Sequence, residues 1–263
     1  MKSIVVIGAQ WGDEGKGKIV DYVAASFDYV ARYAGGHNAG HTVIFGDKKF
    51  VLQLIPCGIL RPGQHAVIGS GVVVDPAALI GEIEMLENAG IDVKGRLYVS
   101  NRAHVILPMH RQLEKAAEAA RGAAKIGTTS RGIGPTYEDK MGRHGIRICD
   151  LMDAQRFREK LTRLAGEKDK AYRANHGEEL NGGGVADEYL AYAELIRPFV
   201  ADTSLIINDA LDQGPNVPSS HRSAAARSRW PCGCPPRSNW RPSERPSRET
   251  ARSSRGSARR PFA

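Results

Sequence analysis

The heptapeptide Gly12-Asp13-Glu14-Gly15-Lys16-Gly17-Lys18 follows closely on the apolar run Ile4-Val5-Val6-Ile7-Gly8 and opens an amphipathic segment. That order predicts a strand, a glycine-rich turn and the start of a helix. Such a turn points several backbone N–H groups at one place, where the helix dipole adds roughly half a positive charge. With two lysines alongside, a phosphate is the natural occupant. The spacing fits Gly-x-x-x-x-Gly-Lys, but the next residue is Ile19 where a P-loop has the Ser or Thr that holds Mg²⁺. Either the metal is held differently or there is none. Asp13 and Glu14 would repel a phosphate, so their presence points to chemistry or metal binding. The competing reading is a solvated Gly/Lys turn.

A second cluster, Gly35-Gly36-His37-Asn38-Ala39-Gly40-His41-Thr42, follows a strand predicted over Tyr29–Tyr33. Its glycines let backbone approach a ligand closely. Asn, His and Thr add donors, acceptors and a group that titrates near neutrality. A loop at the carboxyl end of a strand is where open α/β sheets bind their ligands. Helical runs such as Pro76–Asn88 and Met109–Arg121 alternate with strand-like ones. Asp202 or Thr203 can cap a further helix through Asp212, with Gly214 ending it. The fold class expected is α/β: P-loop-like, with a mainly parallel central sheet flanked by helices, incomplete on its C-terminal side.

These segments resemble the signatures of the adenylosuccinate synthetase family. The resemblance rests on Gln10–Lys18 and Gly35–Thr42, then on Ile55-Pro56-Cys57-Gly58-Ile59-Leu60 and Ile68–Pro76. It continues through Arg102–Pro108 and Ile126–Pro135, and covers residues 1 to about 214. It implies a ligase that joins IMP to L-aspartate at the expense of GTP, giving adenylosuccinate, GDP and phosphate in purine biosynthesis. The alternative is a catalytically incompetent fragment that keeps only nucleotide-binding loops, and turnover by this chain is not expected; a general GTPase switch is a weaker third reading.

By the same resemblance, Asp13 is the base that removes the N1 proton of IMP. His41 is the acid that stabilises charge on the transferring phosphoryl group. The residues expected on GTP are Gly12, Asp13, Glu14, Gly15, Lys16, Gly17 and Lys18, with Gly40, His41 and Thr42. Those expected on IMP are Asp13, Glu14, Gly15 and Lys16, then Asn38, Ala39, Gly40 and His41, and finally Thr129 and Arg143. One Mg²⁺ per subunit would be held by the Asp13 carboxylate and the Gly40 carbonyl, hard oxygen ligands of the kind this ion prefers. Arg143 would reach across from a second subunit, so a homodimer is implied. Arginine suits that task because its planar fork pairs with phosphate oxygens. Without the resemblance, Thr129 reads as part of a polar surface loop and Arg143 as a solvated charge.

The composition breaks after Gly214. Residues 215–263 hold 11 Arg, 10 Ser and 8 Pro but no Lys, Ile or Leu. Such a segment cannot bury enough apolar surface to offset its ordering entropy, and disorder is expected. The chain has 37 Lys and Arg and 29 Asp and Glu; 11 of the former and 2 of the latter lie in this tail. Residues 1–214 therefore carry 26 against 27, so the basic isoelectric point belongs to the tail. A nucleic-acid-binding role inferred from the isoelectric point is accordingly disfavoured, including an Arg-Ser tail that binds RNA. Two domains are expected, 1–214 for GTP and IMP and 215–263 as the tail. No apolar run is long enough for a membrane span. The chain opens directly on a predicted strand, and a cytoplasmic location follows by default. Cys57 and Cys149 are expected to be reduced thiols, and Cys232 and Cys234 lack partner ligands for a metal.

Past residue 214 the sequence lacks the family's Glu-Gly-Ala-Gln-Gly motif, its aspartate-binding loop and its guanine-reading acid. The switch to Arg, Ser and Pro has the character of translation in a shifted frame. Re-sequencing the gene around codon 215 is expected to reveal a frame change; an intact frame there would sink this explanation.

Overall fold

The computed structural model describes residues 3–9, 15–38, 40–45, 48–176, 180 and 184–213. The tail expected over 215–263 lies outside the described residues. Helix α1 (Lys16–Ala24) leads to strand β1 (Tyr29–Arg32). A hairpin follows, β2 (His41–Phe45) and β3 (Lys48–Leu52), and then β4 (His65–Ile68) and β5 (Val73–Val74). Next come α2 (Pro76–Asn88), β6 (Leu97–Ser100), β7 (His104–Val105), α3 (Pro108–Ala120), α4 (Ile133–Gly142) and α5 (Ile148–Leu151). The long α6 (Ala154–His176), α7 (Val185–Ile196), β8 (Val200–Ala201) and α8 (Thr203–Gln213) complete the order.

The central sheet has the order β1-β4-β6-β8 and all its pairings are parallel. Tyr29 stands opposite His65, Ala66 opposite Leu97 and Val99 opposite Val200. A parallel sheet needs cover on both faces. Ala66, Val67 and Ile68 of β4 are accordingly all fully buried. The expected α/β class with a parallel sheet and flanking helices is what forms.

The first strand does not. Residues 3–9 lie outside every strand, and Ile4, Val5 and Ile7 are 59%, 76% and 70% exposed. An apolar run of this kind becomes a strand only where a neighbour offers a ladder and helices cover its faces. Among the described residues it has no such partner.

Local chemistry explains the element boundaries that match expectation. Asp75 caps α2, its carboxylate accepting from the Ala77 N–H at 3.1 Å, with Pro76 at the first helical position. Gly90, at φ 85°, closes the same helix, and the Ile91 N–H donates back to the Leu86 carbonyl at 3.0 Å. At α8 the Asp202 carboxylate accepts from the Ser204 N–H at 3.1 Å.

The core gathers Leu54, Ile68, Leu79, Leu86, Leu97, Ile106 and Phe157, all fully buried. Phe157 of α6 stacks on Tyr189 of α7 with ring centroids 6.3 Å apart, and the Tyr189 hydroxyl donates to the Ile106 carbonyl at 2.8 Å. A buried polar chain ties α3, α4 and α6 together. His110 accepts from the Leu107 N–H at Nδ1, 3.0 Å, so its Nε2–H donates to Asp139 at 3.0 Å. Lys168 takes the other Asp139 oxygen. Burial alone would raise the Asp139 pKa, but His110 and Lys168 outweigh it and hold the carboxyl below the usual range. Among the described residues no helix is long and apolar enough to cross a membrane.

Phe157→Ala leaves a cavity where α6 meets α7. A loss of about 3–5 kcal/mol is expected in urea unfolding, with the slope against denaturant unchanged.

Candidate functional site

The glycine turn and the His41 loop, predicted separately, meet in space. Gly15 adopts φ 84° as the residue before α1, and its carbonyl accepts from the Lys18 N–H at 3.0 Å. A side chain at Gly17 would place its Cβ 3.0 Å from the Cβ of His41. Glycine at 17 is therefore what lets α1 sit directly against the start of β2. Gly17, Lys18 and Thr42 share one cleft of about 480 Å³ with Tyr22, Ile44 and the Asp21–Arg61 pair, whose polar atoms are 2.6 Å apart. Gly12, Asp13, Glu14 and Ala39 lie outside the described residues.

The loop between β1 and β2 leaves the carboxyl end of β1, where a ligand of a parallel sheet belongs. It is held from behind by the half-buried guanidinium of Arg32. Arg32 donates to the Gly36 carbonyl at 2.6 Å, to the Ala34 carbonyl at 3.2 Å and to the Gln53 carbonyl. The Gln53 segment is in turn fixed by Glu82, which accepts from the N–H groups of Gln53, Leu54 and Ile55 at 2.7, 2.8 and 2.9 Å. Burial nonetheless pushes the Glu82 pKa up against those three bonds.

Helix α4 grips the same loop. The Tyr137 hydroxyl accepts from the Gly35 N–H at 2.7 Å and donates to the Gly71 carbonyl at 2.8 Å. Arg131 donates to the His37 carbonyl and, at 2.8 Å, to Gln53 Oε1. His37 itself is buried, its Nε2 3.3 Å from Asp75 Oδ2, and Arg111 pairs with the same carboxylate. Asn38 and Gly40 are exposed at the loop's outer side. Thr129, also exposed, lies four residues before α4, and Arg143, at φ 63°, ends that helix. Helix α4 rises about 15 Å between them.

His41 is half-buried on β2. Burial lowers its pKa, Arg32 lowers it further, and Asp21 opposes. At neutral pH it is therefore a neutral imidazole, a donor through one ring N–H. His37 is lowered to about 4, by burial first and then by Arg131, Arg111 and Arg32.

Sequence reasoning missed Arg32, Glu82, Arg111 and Tyr137. None touches a motif through local spacing. Arg131, His37 and Asp75 stood inside quoted motifs, but nothing in sequence showed that Arg131 binds the His37 carbonyl or that Asp75 meets the His37 ring.

A parallel α/β sheet with a glycine turn and a histidine loop meeting beyond its strands defines the class. The family follows from comparison with known proteins. The family model for adenylosuccinate synthetase matches residues 5–218, and the chain belongs to that family. It is 57% identical over 218 residues to the adenylosuccinate synthetase of Solibacter usitatus, covering 82% of this chain and 50% of that protein. Against the Koribacter versatilis synthetase the identity is 55% over 217 residues, with 82% and 49% covered. The fully ligated synthetase structure from Plasmodium falciparum superposes with a TM-score of 0.69 at 35% identity, covering 78% of this chain and 48% of that one. The chain thus spans about half the length of the relatives it matches.

A second histidine, His104 of β7, is buried with its pKa lowered to about 4, by burial first and then by Lys140 and Arg147, against Asp150, with Lys160 adding to the lowering. His37 and His104 both refuse protons in the folded state that the unfolded chain accepts below about pH 6.5. Stability should be full above that pH and fall as pH drops towards 4, by up to about 1.4 kcal/mol per pH unit for each histidine. Urea unfolding against pH checks this, with His104→Gln removing one share of the slope; a flat profile between pH 6.5 and 4.5 would contradict it.

Proposed function

We propose that this chain carries the phosphoryl-transfer loops of a GTP-dependent carbon–nitrogen ligase, adenylosuccinate synthetase, which joins IMP to L-aspartate. The observation that carries this reading is the contact of the Gly15–Lys18 turn with His41, with Lys18 and Thr42 lining one cleft. Residues 1–214 are taken as the GTP- and IMP-binding domain and 215–263 as a separate tail.

The chemistry sets what each residue must do. The 6-oxygen of IMP is a poor leaving group and has to be phosphorylated first. Asp13 removes the N1 proton, so electron density moves to O6. A carboxylate among phosphates holds its proton more tightly, which suits a base. O6 then attacks the γ-phosphorus of GTP and GDP departs, a transfer governed mainly by positioning and charge neutralisation. The amino group of aspartate attacks C6, and the phosphorylated oxygen leaves as phosphate. His41 donates an N–H to the phosphoryl oxygens. The approach of their negative charge counters the burial that favours the neutral imidazole.

Gly12 to Lys18 and Gly40 to Thr42 are assigned to GTP. Asp13 to Lys16, Asn38 to His41, Thr129 and Arg143 are assigned to IMP. Mg²⁺ is assigned to the Asp13 carboxylate and the Gly40 carbonyl, where it would neutralise phosphate charge. Gly40 fits the assignment: it is exposed, and a Cβ there would fall 2.9 Å from Val51 Cγ1, so its backbone is all it can offer a ligand. Arg143 stands at the far end of α4 from Thr129, the arrangement expected of a residue that serves a second copy in a homodimer. A cytoplasmic location accords with soluble nucleotide substrates.

The test is the absorbance change of adenylosuccinate formation by the purified chain with IMP, GTP, Mg²⁺ and aspartate. Product formation, abolished by Asp13→Asn because an amide cannot take the proton, supports the ligase. Nucleotide binding without product would reduce the chain to a set of binding loops. Activity persisting in Asp13→Asn would remove Asp13 from the base role.

A further inference from the structure

Helix α3 carries two carboxylates one turn apart, Glu114 and Glu118, both largely buried. Neither belongs to a motif assigned above. Each faces backbone N–H groups of the segment that leads into α4. Glu114 Oε2 accepts from the Gly132 N–H. Glu118 accepts from the Gly127 N–H at 3.0 Å and the Ile126 N–H at 3.4 Å, and pairs with Arg121 at 2.6 Å. The two acids therefore clasp the segment at its two ends, with Thr128, Thr129, Ser130 and Arg131 suspended between them.

The segment needs that clasp. Residues 121–127 are all exposed, and 125–131 lie outside every helix and strand. Ser130 is held at φ 54°, a conformation that costs a residue with a Cβ and persists only where surrounding bonds impose it. A carboxylate offers acceptors only, so two adjacent N–H groups can share it without a competing donor. Desolvation works against ionisation of Glu118, but the Arg121 guanidinium and the N–H groups of Gly127, Ile126 and Thr128 outweigh it and keep the carboxyl below the usual range. Thr128 Oγ1, shielded from solvent, has no partner among the described residues. The clasp thus shapes the loop while leaving a hydroxyl donor at its centre uncommitted.

We infer that Glu118 is a positioning residue for the IMP phosphate: it fixes the 126–131 loop so that the Thr128 and Thr129 hydroxyls are presented to phosphate oxygens. This rests on the functional reading above. The carboxylate touches no substrate and acts only through the loop backbone.

Glu118→Gln tests it, because the amide keeps the size but turns NH₂ donors towards N–H donors. Three measurements are made on the full chain: IMP affinity, GTP affinity, and the rate at which trypsin cuts after the exposed Lys125, followed by mass spectrometry. The expected result is IMP binding weakened at least tenfold, GTP binding within twofold of wild type, and cleavage at Lys125 at least tenfold faster, with an unchanged melting temperature. Should Glu118→Gln not fold, Arg121→Gln, which removes only the neutralising partner, is expected to show the same split in smaller degree. Wild-type IMP affinity and cleavage rate in Glu118→Gln would overturn the inference, as would equal weakening of IMP and GTP. If the wild-type chain binds no IMP, the functional reading fails instead, and the Lys125 cleavage rate still decides whether Glu118 orders the loop.

Discussion

The Asp75 carboxylate is the point on which the site's geometry depends. It is almost fully buried, and each of its partners comes from a different part of the chain. Its Oδ1 caps α2, while its Oδ2 faces Arg111 of α3 and His37 of the β1–β2 loop. A buried carboxylate left without partners would cost several kcal/mol. Cap, guanidinium and imidazole together offset that cost. The loop that bears His37 and Asn38 is thus tied to the start of α2 through one carboxylate.

Around that anchor, the site is built from backbone carbonyls held by arginines and a tyrosine. Arg32, Arg131 and Tyr137 bind the carbonyls of Gly36, His37 and Gly71. Carbonyl acceptors carry no net charge, so three cations or hydroxyls can be spent on positioning without cancelling the field that an anion would meet. The cost falls on the histidines. With solvent excluded and guanidinium groups close by, His37 stays neutral well below neutral pH, and His41 is shifted the same way.

Much of this architecture was legible in sequence wherever the signal was local. Helix α2 falls on the predicted Pro76–Asn88, and α3 is displaced by one residue from Met109–Arg121. Strand β1 ends one residue short of Tyr33. Each of these carries its own cap, proline or apolar period. The run Ile4–Gly8 has a local pattern as strong as any, yet it forms no strand, because pairing is a property of two segments and not of one. The tethers of the site were invisible for a related reason. Arg32 and Gln53, or Tyr137 and Gly35, are separated by 21 and 102 residues, and no periodicity links them.

The polar network between α3, α4 and α6 shows why such invisible contacts persist. Replacing His110, Asp139 and Lys168 by apolar residues of similar volume would satisfy packing as well, and buried ion pairs are weak evidence for stability. What they supply is direction. A hydrophobic contact lets α4 rotate about its axis or slide by a fraction of a turn. A histidine with one ring nitrogen committed to the Leu107 N–H can meet Asp139 in one register only. That register places Tyr137 against Gly35 and Arg131 against the His37 carbonyl. The buried network is best understood as the device that sets the rotation of α4, and through it the position of both loops the helix touches.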